Sequence, residues 1–219
     1  MNNHNFLFRE ITEQQVLDKI NNLQVNKASG LDNIPASLIK PIASYIVKPL
    51  THIYNTSIMQ GKVPTQLKLS RVSPIFKGGD KNDMGNYRPI SVLPMFAKIL
   101  EKIVFQQLYE YIIEHSLLNE NQFGFRPKHS TETALLNVIE NWSESLDNGK
   151  LIGMVALDLK KAFDTVHHGI LLDKLKEMGI SDEALKWFGS YLQDRFQCTV
   201  VNGVTSTMQK VKCGIPQGK

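Results

Sequence analysis

Residues 151–157, LIGMVAL, form a nearly unbroken apolar run, interrupted only by Gly153 and closed by an acid, Asp158. A run of this density suits a strand buried on both faces rather than a half-solvated one. Lys160, Lys161, Ala162, Phe163 and Asp164 come directly after it. A carboxylate, two cations and an aromatic thus gather where the run meets its loop, a place where sheet proteins often put sites. A carboxylate at a strand end suits Mg²⁺, which takes oxygen ligands and commonly combines one or two carboxylates with substrate phosphates. The same residue would equally serve as an N-cap for a following helix.

A core able to bury such a strand is within reach of 219 residues that are 42% hydrophobic and 21% charged, a composition outside the disordered class. The net charge of +4 permits an anionic partner without demanding one. Cys198 and Cys213 are too few for a disulfide framework and lack zinc-site spacing, so the expectation is a reducing, intracellular compartment, nucleus or cytoplasm, without secretion. No apolar run reaches the ~18 residues of a membrane span, so no membrane partner is expected.

Thr12 to Gln15 read as a capping box for a first helix carrying Val16, Leu17, Ile20 and Leu23. Pro35 suits the first position of a second helix through Leu38, Ile39, Ile42, Ile46 and Val47, and a further helix is expected over 50–59, stopped by Gly61. Residues 1–61 therefore read as a helical preface packed against the remainder of the chain. Residues 67–76 alternate as a strand whose end Pro74 pushes toward an edge. Pro94 opens a long helix with a core stripe of Phe96, Ile99, Leu100, Ile103, Val104, Leu108, Tyr111 and Ile112, while Lys98, Glu101, Lys102 and Glu110 are expected to face away. Ser130 or Thr131 caps a helix running through Leu135, Ile139, Trp142 and Leu146, and Trp142 and Trp187 are expected in the core. Two more helices are expected over 170–178 and from Ser181 to Leu192. Strands over 196–201 and 204–211 then flank Asn202-Gly203, a favoured type I′ hairpin turn. His167 and His168 are adjacent and so point apart, which argues against a metal pair.

Five motifs in order resemble the reverse transcriptases of non-LTR retrotransposons of the jockey-like kind. They are KASGLDNIP at 27–35, PIFK at 74–77 with NYRPIS at 86–91, QFGFR at 122–126, LDLKKAFD at 157–164, and GIPQG at 214–218. A group II intron-type reverse transcriptase fits the preface and the first motif less well. The resemblance implies an α+β fold: right-hand polymerase fingers and a partial palm over 62–219, with an N-terminal helical extension over 1–61. It also implies an RNA-directed DNA polymerase using two Mg²⁺ ions, an RNA template, a DNA primer and deoxynucleoside triphosphates.

Carried over residue by residue, the resemblance makes Asp158 the catalytic metal ligand, with the Leu159 carbonyl as a second donor. Phe163 would lie under the sugar and exclude a 2′-hydroxyl. Arg126 would reach the triphosphate, and Gln217, Lys161 and Ala162 would contact the nucleotide. Lys77, Arg88 and Lys128 are weaker candidates for phosphate or template contacts, and Asp164 is expected to be structural, bonding backbone amides. The family's later motif with two adjacent Asp residues does not occur in these 219 residues, and Lys219 stands where the family usually has Ser. The expectation is a fragment inactive alone; the alternative is a non-catalytic, retroelement-derived nucleic-acid-binding or structural remnant.

Overall fold

A computed structural model describes residues 4–217. Its elements run α1 (Glu13–Asn21), α2 (Ala36–Ile39), α3 (Ala43–Gln60), β1 (Leu69–Phe76), β2 (Tyr87–Val92), α4 (Met95–Glu114), α5 (Thr131–Asp147), α6 (His168–Glu177), α7 (Asp182–Leu192), β3 (Phe196–Val201), β4 (Val204–Thr205) and β5 (Gln209–Lys210). Helix and strand are mixed, and contacts divide the chain into two compact units: Met1–Tyr111 with Lys161–Lys219, and Ile112–Lys160. No described helix is long and apolar enough to cross a membrane.

In the first unit, the Thr12 hydroxyl accepts from the Gln15 N–H at 3.2 Å, and Gln15 Oε1 accepts from the Thr12 N–H at 3.0 Å, closing the capping box of α1. The next helices break elsewhere than expected. A 3₁₀ turn, Lys40–Ile42, interrupts them at Pro41, and α3 then runs unbroken through Pro49. Pro49 removes one helical bond, the one to the carbonyl of Tyr45, a residue that is 82% exposed. Two side-chain amides then tie down the extended N-terminal segment as a neighbouring strand would. Asn55 exchanges bonds with Ile11 N–H and C=O, each 2.8 Å, and Gln107 does the same with Arg9 at 2.8 and 3.1 Å.

The sheet order is β2-β1-β3-β4, with β5 also pairing β3. β1 runs antiparallel to β2 and parallel to β3, but β3 covers only Leu69 to Val72. Beyond Val72 no described strand pairs with that side of β1, which is where Pro74 sits. Pro74 faces Pro89 across β1 and β2. Two residues without N–H groups oppose each other at a pair that exchanges no hydrogen bonds, and the ladder loses nothing. The Asn202-Gly203 turn has both φ angles positive, at 50° and 80°, and joins β3 to β4. The expected single strand over 204–211 is divided into β4 and β5. Between them, the Ser206 hydroxyl takes the Thr199 N–H at 2.9 Å, a ladder bond that a backbone carbonyl would otherwise hold.

Trp187 lies in the core and donates its indole N–H to Ser57 Oγ at 3.1 Å, while the Tyr54 hydroxyl donates to the Phe96 carbonyl at 2.6 Å. Ile99, Leu100, Ile103, Val104 and Tyr111 of α4 are buried as the stripe predicts. Lys68 is buried too, and its ammonium donates to the Ser190 and Gln193 carbonyls at the C-terminal end of α7, at 2.9 and 3.2 Å. A cation there meets the negative end of the helix dipole.

The second unit corrects two expectations. Residues 151–159 form no strand, and Val155 and Leu157 are 84% and 89% exposed. Hydrophobicity does not make a strand without a ladder partner, and among the described residues none pairs with this stretch. α5 forms where expected, with Ser130 and Thr133 closing its capping box, but Leu135, Leu136, Ile139, Trp142 and Leu146 all remain exposed. Trp142 is therefore not a core residue. The periodicity identified the helix and its apolar face, but not a surface to cover that face.

Candidate active site

The best-defined part of the site is built where two distant motifs meet in the first unit. Residues 161–165 fold as a tight turn in which the Lys161 carbonyl accepts from the Asp164 and Thr165 N–H groups at 2.9 and 3.2 Å. Lys161 takes φ +56°, a left-handed conformation that costs a non-glycine residue free energy. Against this turn lies the segment 213–217. Gly214 donates to the Val166 carbonyl at 2.8 Å, and Ile215 donates to the Phe163 carbonyl at 2.9 Å. His168 Nε2 lies 2.7 Å from the Gly214 carbonyl. At the far end, Ser91 of β2 donates to the Gln217 carbonyl at 2.7 Å, so the segment also grips the outer edge of the sheet.

The approach is close enough to require glycine. A Cβ on Gly214, at φ +82°, would lie 2.7 Å from the Asp164 carbonyl oxygen. Gly30 of the KASG motif is pressed in the same way: a Cβ there would lie 2.6 Å from the Pro94 nitrogen, where α4 begins.

Of the expected nucleotide contacts, Lys161, Ala162, Phe163 and Gln217 belong to this junction. Lys161 and Ala162 are exposed, while Phe163 and Gln217 are half-buried. Asp164 stabilises the junction through its backbone rather than its carboxylate. Its carbonyl accepts from Cys213 Sγ at 3.5 Å, while its side chain makes no hydrogen bond to a described residue. The expected bonding of its carboxylate to backbone amides is therefore corrected: the turn's own i to i+3 bond satisfies the chain. His167 and His168 do separate work, His167 Nδ1 accepting from the Ile170 N–H at 3.4 Å at the start of α6.

Asp158, Leu159, Arg126 and Lys128 belong to the other unit. Asp158 and Leu159 are exposed, and neither engages a described residue in a hydrogen bond. A carboxylate and an adjacent backbone carbonyl are hard oxygen donors that fit one Mg²⁺ shared with substrate phosphates. They do not by themselves fit two, and no cluster of three His, Cys, Asp or Glu that could hold a metal occurs among the described residues. Arg126 is half-buried, its Nη1 donating to the Asn119 and Gln122 carbonyls at 3.2 and 3.3 Å. Lys128 is exposed at φ +63°.

Lys77 and Arg88 share a face of the β1–β2 hairpin. The register pairs Ile75 with Arg88, and Lys77 donates its N–H to the Asn86 carbonyl at 2.8 Å one step further on. Ile90 and Val92 continue that face of β2 and line a groove of about 690 Å³ with Lys27, Lys98, Lys102 and Phe105. Lys98 and Glu101 are half-buried rather than facing away as expected, while Lys102 is exposed. Burial holds the Lys98 ammonium below the usual lysine range and pushes the Glu101 carboxyl up. Glu101 accepts from the Tyr191 hydroxyl at 2.7 Å, which explains why it turns inward. Sequence reasoning missed this basic, aromatic groove, although positions 98, 102 and 105 repeat at helical spacing and carried the signal.

Residues 79–219 match the reverse transcriptase (RNA-dependent DNA polymerase) family. The chain is similar to a probable RNA-directed DNA polymerase from transposon BS of Drosophila melanogaster, at 28% identity over 96% of this chain and 23% of that protein. It is 31% identical to the corresponding protein of the X-element from the same fly, over 88% of this chain and 21% of that one. The RNA-directed DNA polymerase from its mobile element jockey is 29% identical over 95% of this chain and 23% of that protein. The chain thus spans between a fifth and a quarter of the length of these relatives.

Proposed function

Because the chain belongs to the reverse transcriptase (RNA-dependent DNA polymerase) family, we propose that it is part of a jockey-like non-LTR retrotransposon polymerase. In this reading residues 62–219 are fingers and part of a palm, residues 1–61 a helical extension, and the setting is the nucleus or cytoplasm. The reaction is addition of deoxynucleotides to a DNA primer along an RNA template by two-metal nucleotidyl transfer. The observation that carries the reading is the docking of Gly214 and Ile215 on the 163–166 backbone. It joins the two motifs that the proposed nucleotide site requires.

The Asp158 carboxylate and the Leu159 carbonyl would hold Mg²⁺. When bound, that ion neutralises and orients the phosphates. Phe163 places a ring where a ribose 2′-hydroxyl would go, and the bonds on either side of it fix its backbone. Arg126 presents a planar guanidinium suited to phosphate oxygens, while Lys161, Ala162 and Gln217 line the approach of the nucleotide. Lys77, Arg88 and Lys128, together with the Lys27, Lys98 and Lys102 groove, supply positive charge for a polynucleotide backbone, and Phe105 supplies a face for a base to stack on.

Primer extension on an RNA template with Mg²⁺, by a polypeptide joining this chain to the further carboxylates that two ions need, tests the reading. Templated deoxynucleotide incorporation is expected. RNA binding without incorporation would favour a non-catalytic nucleic-acid-binding module, a reading that draws on the basic groove alone.

A further inference from the structure

The stretch 150–158, KLIGMVALD, has a cation at its start, an anion at its end and only uncharged residues between them. Leu151, Met154, Val155 and Leu157 are all exposed. Among the described residues no strand pairs with this run, and none forms a hydrogen bond to the backbone of residues 151–157. Apolar side chains on a backbone with free donors and acceptors make a template for another strand.

The run leaves α5 through a fixed turn. Gly149, at φ +70°, donates to the Leu146 carbonyl at 2.8 Å, and Lys150 donates to the Ser145 carbonyl at 2.9 Å. These are the two bonds of a Schellman helix end. A two-stranded ribbon alone is marginal in water. The exposed Leu135, Ile139, Trp142 and Leu146 of α5, in the same compact unit, supply further apolar surface from each copy of the chain.

The charges select the partner. Read against itself in the opposite direction, the stretch sets Lys150 opposite Asp158, Leu151 opposite Leu157, Ile152 opposite Ala156, Gly153 opposite Val155, and Met154 opposite its own copy. Unlike charges then meet at both ends and apolar residues meet between them, the pairings that stabilise neighbouring strands. Parallel pairing in register would set lysine on lysine and aspartate on aspartate. A slip of one residue in the antiparallel pairing would set Lys150 opposite Leu157 or Leu159, and Asp158 opposite Gly149 or Leu151, so both charge pairs would be lost.

We propose that residues 150–158 are a homodimerisation strand: two copies of this chain pair antiparallel about Met154, with Lys150 of each copy facing Asp158 of the other. The arrangement is two-fold and uses the same patch on both copies. It does not rest on the polymerase reading. Where that reading holds, the ion pair and a metal ion compete for the Asp158 carboxylate.

The test uses the 219-residue chain. Sedimentation velocity over a dilution series is expected to show a monomer–dimer equilibrium. Lys150→Asp sets like charges opposite each other at both ends and is expected to raise the dimer Kd roughly tenfold. Lys150→Asp combined with Asp158→Lys restores unlike pairs in reversed order and is expected to return Kd to within about threefold of wild type. Both positions are exposed, and circular dichroism checks that the fold is kept. Cysteine cross-linking in a Cys213→Ser background reads the register. Met154→Cys is expected to form an intermolecular disulfide on mild oxidation, because directly opposed Cα atoms lie about 4.5–5.5 Å apart. Leu151→Cys, roughly 20 Å from its own copy in this register, is not. A monomer throughout the series would overturn the proposal and leave the run to a different partner. Assemblies that grow beyond the dimer, a Kd indifferent to Lys150→Asp, or equal cross-linking at positions 151 and 154 would overturn it too.

Discussion

The Ile215 N–H donates to the Phe163 carbonyl at 2.9 Å, joining residues 52 positions apart in sequence (215 − 163). With Gly214 bonded to Val166 and pressed on Asp164, it makes one rigid corner from two motifs. Three expected consequences concern that corner or the acid just before it.

Gly214→Ala is expected to destabilise the chain by roughly 2–4 kcal/mol, because left-handed backbone strain adds to a clash with rigid backbone rather than with a movable side chain. Urea unfolding measures it. A loss below roughly 0.5 kcal/mol, the scale of an ordinary surface change, would mean that the corner is not close-packed.

Phe163→Val is expected to admit ribonucleotides in an active polypeptide while deoxynucleotide incorporation stays measurable. Side-by-side incorporation of the two sugars decides it. Unaltered selectivity would return Phe163 to a packing role.

Much of the helix framework was legible. Thr12 and Ser130 announced helix starts, Pro94 preceded the longest helix, and Asn202-Gly203 fixed a turn, because each acts through bonds within a few residues. What was not legible depended on partners. Leu157 and Val155 look like core in any window, yet their exposure depends on whether a strand lies beside them. Glu101 sits at a solvent-facing period of α4, yet it is half-buried and accepts from the Tyr191 hydroxyl, 90 residues away. At the candidate site, the motifs named Phe163 and Gln217. Nothing local marked Arg195, which is 1% exposed and donates to the Tyr191 carbonyl.

Burial holds the Glu101 carboxyl above the ordinary carboxylate range, against the Tyr191 hydrogen bond and the charges of Arg195 and Lys98, which pull it down. A carboxyl raised on folding contributes stability that is full below its unfolded pKa and is lost as pH rises through the folded value. Glu101→Gln keeps an acceptor for Tyr191 and does not titrate. Its stability relative to wild type is therefore expected to improve as pH rises above the ordinary carboxylate range, read by urea unfolding across a pH series. A pH-independent difference would contradict the assignment.

Binding of single-stranded RNA to this chain is expected to be weak and salt-sensitive. Lys102→Ala should lower the slope of log affinity against log salt by about 1 if that lysine meets a phosphate. Fluorescence anisotropy across a salt series measures it, and an unchanged slope would remove Lys102 from the interface. The chain alone is expected to give no primer extension, since one carboxylate cannot hold two ions at the ~4 Å spacing the mechanism needs.

Asp158 is the centre of the account, and its exposure separates catalysis from folding. Asp158→Ala is expected to leave unfolding stability within about 0.5 kcal/mol, as for a surface site, while abolishing Mg²⁺-dependent, RNA-templated incorporation in a polypeptide that is active with Asp158 in place. The decisive measurement is that primer-extension assay on the two proteins side by side. Loss of incorporation with the fold retained is the result expected; near-native incorporation by Asp158→Ala would contradict the assignment of the catalytic carboxylate.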